Sequence, residues 1–173
     1  MSAVEAPCVL LVMGVAGSGK TSVAEALAAR LHWPFQEGDA LHPAANVAKM
    51  QGGTPLTDAD RWPWLDRLAD WIAARLAAAE NGILTCSALK RTYRARLVRP
   101  GVRLVYLWGE RELLAARLGA RRGHFMPPAL LDSQLATLEP PGADEHPITL
   151  HIAPTPAELA GQVAAALAVI RQD

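Results

Sequence analysis

A chain of 173 residues with seventeen basic and seventeen acidic side chains carries no formal net charge, which excludes the broad cationic surface a nucleic-acid partner requires. Its hydrophobic fraction of 51% is enough for one self-supporting core without disulfides or a structural metal, so a single domain over 1–173 is expected. Cys8 and Cys86 each sit in an apolar run, Met1 to Pro7 has no basic leader pattern, and no apolar stretch approaches ~18 residues; the expectation is a cytoplasmic protein with buried thiols and no membrane partner.

The first element is the continuous apolar run from Cys8 to Met13, the pattern of a strand buried on both faces of a parallel sheet. Directly after it, Gly14-Val15-Ala16-Gly17-Ser18-Gly19-Lys20-Thr21 spells G-x-x-x-x-G-K-T. Glycines in this pattern let the backbone curl so that successive N–H groups face phosphate oxygens; Lys20 adds a cation and the Thr21 hydroxyl a ligand for Mg2+. Val23, Ala26, Leu27 and Leu31 then recur at helical spacing, which puts the phosphates of ATP at a helix N-terminus. The expected nucleotide contacts are Gly14, Ala16, Gly17, Ser18, Gly19, Lys20, Thr21 and Ser22.

Trp33 to Glu37 reads as a short second strand ending at Gly38-Asp39, and ligands of open α/β sheets bind beyond strand carboxyl ends. Asp39 is therefore the candidate base, suited to orient a hydroxyl, take its proton and help hold magnesium. Pro43 to Met50 follows as a short helix closed by Gly52-Gly53-Thr54-Pro55. Thr57 or Asp58 caps a longer helix whose inward face is Trp64, Leu65, Leu68, Trp71, Ile72 and Leu76.

Ile83 to Cys86 makes a third strand, Leu89 to Val98 a helix, Val102 to Trp108 a fourth strand and Glu110 to Arg121 another helix. After Met126-Pro127-Pro128 a helix resumes from Ala129 to Leu138, and Ile148 to Ile152 is a fifth strand. Thr155-Pro156-Ala157-Glu158 combines a capping threonine, proline at the first helical position and a box-completing glutamate, opening a last helix to about Arg171. The alternation predicts an α/β fold of three layers, a five-stranded, mainly parallel sheet flanked by helices, and with the phosphate loop it suits a P-loop kinase.

Basic residues concentrate in Lys90 to Arg103 and Arg111 to Arg122, marking local anion sites in a neutral molecule. Glu37-Gly38-Asp39-x-Leu41-His42-Pro43, Asn46, Lys49-Met50 and Gly53-x-Pro55-Leu56-x-Asp58-x-Asp60-Arg61-x-Pro63-Trp64 resemble the gluconokinase family. So do Cys86-Ser87-Ala88-Leu89-Lys90-Arg91-x-Tyr93-Arg94, Gly123-His124-Phe125-Met126 and Ser133-Gln134-x-x-x-Leu138-Glu139-Pro140. The resemblance implies ATP-dependent phosphorylation of D-gluconate on its terminal hydroxyl, with Mg2+, and admits a homodimer. Two positions depart from the family pattern: Ala16 stands where serine is common, and Glu37 where aspartate is usual, one methylene longer at the edge of the expected sugar-acid pocket.

A linear polyol acid needs a cationic anchor and hydrogen-bonding groups. Arg61, Lys90, Arg91 and Arg94 are the candidates, Lys90 and Arg94 sharing a face of one expected helix, and His42 is placed to bond a hydroxyl. Arg117 and Arg121, four apart on one helix, open a lid over about 117–128 that would bring them to the phosphates as catalytic groups beside Lys20. Two other readings share the scaffold: a shikimate-type or other small-metabolite kinase, and a nucleotide-binding module that has lost phosphoryl transfer.

Overall fold

The computed structural model describes residues 5–120 and 128–171. Five strands form one parallel sheet: β1 (Val9–Met13), β2 (Phe35–Glu37), β3 (Gly82–Thr85), β4 (Val102–Trp108) and β5 (Ile148–His151), in the spatial order β2-β3-β1-β4-β5. The helices are α1 (Lys20–Leu31), α2 (Ala44–Gln51), α3 (Asp58–Ala77), α4 (Arg91–Leu97), α5 (Arg111–Ala120), α6 (Pro128–Thr137) and α7 (Pro156–Ile170).

β1 is buried along its whole length, and its side chains alternate between two cores as a strand's period of two requires. Leu10 and Val12 pack with Val23 and Leu27 of α1, Leu131 of α6 and Leu159 and Val163 of α7. Val9, Leu11 and Met13 pack on the other face with Trp64, Leu65, Leu68 and Ile72 of α3 and Tyr93 and Leu97 of α4. The result is three layers, helices on both faces of the sheet, as the alternating pattern predicts.

Caps set the helix boundaries. Thr57 accepts from the Asp60 amide and the Asp60 carboxylate accepts from the Thr57 amide, closing a capping box that starts α3; Thr155 and Glu158 do the same for α7. The Leu89–Val98 segment is shorter in helix than its sequence suggests: Lys90 is extended and caps α4, so Lys90 and Arg94 do not share a helical face. A 3-10 turn, Gly38–Leu41, follows β2. It sits flush on β3, because a Cβ added to Gly38 would lie 1.9 Å from the Thr85 carbonyl oxygen.

The sheet order places β1 at the point where successive connections run to opposite sides, with β3 on one flank and β4 on the other. The cleft beyond the carboxyl end of such a strand is where α/β sheets bind ligands. The register brings Glu37 level with Thr85, and Thr85 level with Val12, so the ends of β2, β3 and β1 open on one rim.

Candidate active site

The loop after β1 turns through left-handed backbone at Gly17 and Gly19, φ 82° and 85°, conformations that side chains disfavour. Gly19, the N-cap of α1, has no side chain to bond the helix's first amides, and the first turn carries no acid. Those N–H groups and the positive end of the helix are thus presented to an anion. Lys20 Nζ donates to the carbonyls of Gly14 and Val15, 2.9 and 3.2 Å away, so its ammonium lies along the loop. Ser18 is 1% exposed, and among the described residues its hydroxyl is a buried oxygen with no hydrogen-bond partner. Its side chain lies against Gly14, and its backbone amide donates to the Val15 carbonyl at 3.2 Å, closing the turn of the loop.

Glu37 ties this loop to the next two strands. Its carboxylate accepts from Thr21 Oγ1 at 2.7 Å and from Thr85 Oγ1 at 2.6 Å, while Thr85 Oγ1 accepts from the Gly38 amide at 3.1 Å. The methylene by which Glu37 exceeds an aspartate lets one carboxylate reach both threonine hydroxyls. Thr21 and Glu37 set two hard oxygen atoms side by side, the donor type that magnesium takes.

Asp39 is exposed in the first turn of the 3-10 segment. Trp64 of α3 fixes that segment by donating its indole N–H to the Gly38 carbonyl at 2.9 Å. His42 stacks on Trp64 with ring centroids 4.1 Å apart and planes 14° from parallel. Buried Asn46 holds it from below, its amide nitrogen 3.3 Å from His42 Nδ1 and 2.8 Å from the Asp60 carbonyl. Half-burial lowers the His42 pKa, Asp39 opposes that shift and Arg61 adds to it, so the imidazole favours its neutral form.

Cys86 follows the last residue of β3 and is buried. Burial pushes its thiol up to about 12, with Asp39 raising it further and Lys20 and Arg61 lowering it. It is a buried free thiol, as is Cys8.

Arg61 and Lys90 meet at Tyr93 and Asp58. Arg61 Nη1 lies 3.2 Å from the Tyr93 hydroxyl, which donates to Asp58; Lys90 Nζ is 3.2 Å from both Asp58 oxygens, and both cations lie 5.6 Å from the Tyr93 ring centre. Asp58 is held below the usual carboxylate range by the bonds from Tyr93 and Lys90. Arg91 and Arg94 turn elsewhere. Arg91 pairs with exposed Asp144, while the Arg94 side chain is 1% exposed and grips Glu145 at 2.7 and 3.2 Å and the Ala88 carbonyl at 2.9 Å.

Arg117 donates to the Ile152 carbonyl at 2.6 Å. It lines a cleft of about 400 Å³ with Gly17, Gly19 and Ser22 on one side and Ala153, Pro154, Thr155 and Pro156 on the other. Of the lid expected over 117–128, residues 117–120 are the last turn of α5 and 128 opens α6; Arg121 and the rest of that segment lie outside the described residues.

Residues 9–141 match a family model described as an AAA domain. The gluconokinase of Gluconobacter oxydans is 57% identical over 141 residues, 80% of this chain and 79% of that protein. The chain belongs to the gluconokinase family. The crystal structure of a gluconokinase from Sinorhizobium meliloti superposes with a TM-score of 0.86 at 45% identity, covering 97% of this chain and 95% of the other. Shikimate kinase from Acinetobacter baumannii superposes at 0.65 with 17% identity over 98% of this chain and 97% of its own, a likeness of fold alone.

Within this gluconokinase-family scaffold, three groups escaped the sequence reading. Glu37 was noted only as a departure, although Glu-x-Asp at a strand end places two carboxylates on one rim. Residues 153–156 read in the sequence only as a helix start, not as a wall of this cleft. Gln134 accepts from the Ala16 amide at 2.7 Å across 118 residues, a contact with no local signature.

Proposed function

We propose that this chain transfers the γ-phosphoryl group of ATP to the terminal hydroxyl of D-gluconate, giving 6-phospho-D-gluconate and ADP. The observation that carries this reading is the Thr21–Glu37 hydrogen bond, which joins the phosphate loop to the strand end that leads into Asp39 two residues on. The phosphates lie on the amides of Gly17 and of 19–21, with Lys20 against the transferring group. The base of ATP occupies the cleft between the loop and 153–156, where the planar Arg117 guanidinium stacks or bonds an α-phosphate oxygen rather than reaching the γ-phosphoryl group. The paired oxygens of Thr21 and Glu37 hold magnesium together with phosphate oxygens and water; Glu37 takes this place ahead of Asp39 because it is the carboxylate bonded to Thr21. When bound, the ion neutralises phosphate charge and fixes its orientation.

Asp39 then orients the gluconate hydroxyl and accepts its proton as the new O–P bond forms and the bond to the β,γ-bridging oxygen breaks. At the far end of the substrate, Arg61 and Lys90 set two positive charges against the one carboxylate of Asp58, leaving one charge for the gluconate carboxylate to balance. His42, neutral and half-buried, faces the polyol between these ends. Arg94 is a structural post on this reading and Arg91 lies outside the pocket. ATP as substrate and the two buried free thiols fit a cytoplasmic location; no helix among the described residues is long and apolar enough to cross a membrane.

ADP formation measured with D-gluconate, shikimate and nucleoside monophosphates tests the reading. Turnover is expected with gluconate alone. Equal turnover with shikimate would favour the small-metabolite alternative, and ATP binding with no turnover on any acid would leave a silent nucleotide-binding module.

A further inference from the structure

The segment Ser133-Gln134-x-x-x-Leu138-Glu139-Pro140 has no part in the chemistry above, yet it touches both halves of the site. Leu131, Leu135 and Leu138 form the inward stripe of α6 and its extension, with Leu131 1% exposed and Leu138 packed against both cores. Gln134 lies on that same apolar stripe, three residues after Leu131. A polar side chain there must find a partner, and it does: Oε1 accepts from the Ala16 N–H at 2.7 Å. A backbone N–H can only donate, so the oxygen end of the amide has to face the loop.

Five residues on, Glu139 does the same for the acceptor side. Its amide donates to the Leu89 carbonyl at 2.7 Å, and its carboxylate accepts from the Arg91 amide at 3.0 Å, capping the first turn of α4 right after Lys90. One short rigid element therefore holds the phosphate loop at one end and the Lys90–Tyr93 anchor at the other.

We infer that Gln134 and Glu139 are positioning residues: through the Ala16 and Arg91 amides they hold the phosphate donor and the sugar-acid anchor in register. For its turnover arm this rests on the gluconokinase reading. Gln134→Met keeps the shape, removes the acceptor and leaves the Ala16 amide unpaired, so affinity for a fluorescent ATP analogue and kcat each fall about tenfold while the gluconate KM stays within about twofold. Glu139→Ala raises the gluconate KM about fivefold and leaves the ATP KM alone; Glu139→Gln, which keeps an acceptor at the cap, restores most of the loss.

Unchanged nucleotide affinity and kcat in Gln134→Met would overturn the inference. So would variants that shift both KM values alike in step with a lowered Tm, the signature of general loosening. A check on the unmutated chain needs no variant to fold: the Ala16 amide should exchange its hydrogen markedly more slowly than the neighbouring loop amides, and exchange at the open-loop rate defeats the proposal. Nucleotide affinity and exchange need no gluconate, so a wild-type chain inactive on gluconate would sink the functional reading while these two arms still decide the role of Gln134.

Discussion

The two halves of the cleft are built from different materials. The nucleotide half is backbone: amides at the start of α1, left-handed turns at Gly17 and Gly19, and a strand buried on both faces beneath them. The acceptor half is side chains: Asp39 exposed on a 3-10 turn, His42 leaning on Trp64, and Arg61 and Lys90 sharing Asp58. Backbone groups held by a sheet need no reorganisation to receive phosphate, whereas the acceptor cations must trade part of their pairing with Asp58 for a substrate carboxylate. Affinity for nucleotide should therefore survive most changes in the acceptor half, and specificity for the acid should rest there.

The sharpest break in that comparison is Asp39→Ala. Loss of the base should lower kcat about 1,000-fold while titration with an ATP analogue shows unchanged affinity; a kcat within threefold of wild type would remove Asp39 from the chemistry. Glu37→Ala comes next, because it unties the Thr21 hydroxyl. The Mg2+ concentration for half-maximal turnover should rise about tenfold, with the gluconate KM unmoved, and chelation should stop turnover in both proteins. Arg61→Met should then raise the gluconate KM about tenfold with little change in the ATP KM, as loss of one charged hydrogen bond requires.

Arg94 separates the anchors from the scaffold. Its guanidinium is buried and bonds Glu145 and two backbone carbonyls, so Arg94→Met leaves a nearly buried carboxylate with the Gly142 amide and the more distant Arg91 and should cost about 3 kcal/mol of stability. That is a fall in Tm of roughly 6–12 °C, while the folded enzyme keeps its gluconate KM. A raised KM at unchanged Tm would return Arg94 to the substrate pocket.

What could be read from the chain alone follows the same division. The phosphate loop, β1 and the caps at Thr57 and Thr155 are contiguous patterns whose physics is local, and the structure has them at their expected residues. Lys90 falls inside the helix expected from Leu89 to Val98, but it is extended and caps α4. Arg94 reads as an anchor because it follows a strand end in a basic stretch, and charge in a sequence does not disclose a partner 51 residues away. Glu37 reaches Thr85 across 48 residues and Gln134 reaches Ala16 across 118, contacts that exist only once the sheet order is known. The nucleotide half was legible because it is made of consecutive residues; the acceptor half was legible as composition but not as pairing.

The smallest expected effect gives the most direct view of that pairing. His42 lies in the field of both the candidate base and the candidate anchor: burial lowers its pKa, Asp39 raises it and Arg61 lowers it. Because the folded value lies below the unfolded one, the unfolded chain binds the proton more readily; stability is intact above about pH 6.5 and declines as pH falls through that value. The ring resonances of His42 followed by NMR should give a pKa below the ordinary histidine value, lower still in Asp39→Asn and higher in Arg61→Met. Opposite movements in the two variants mean that base and anchor flank the same imidazole, as a substrate stretched between Asp39 and Arg61 requires. If neither substitution moves the titration, the two groups do not share the pocket, and the acceptor half of the cleft must be drawn with other residues.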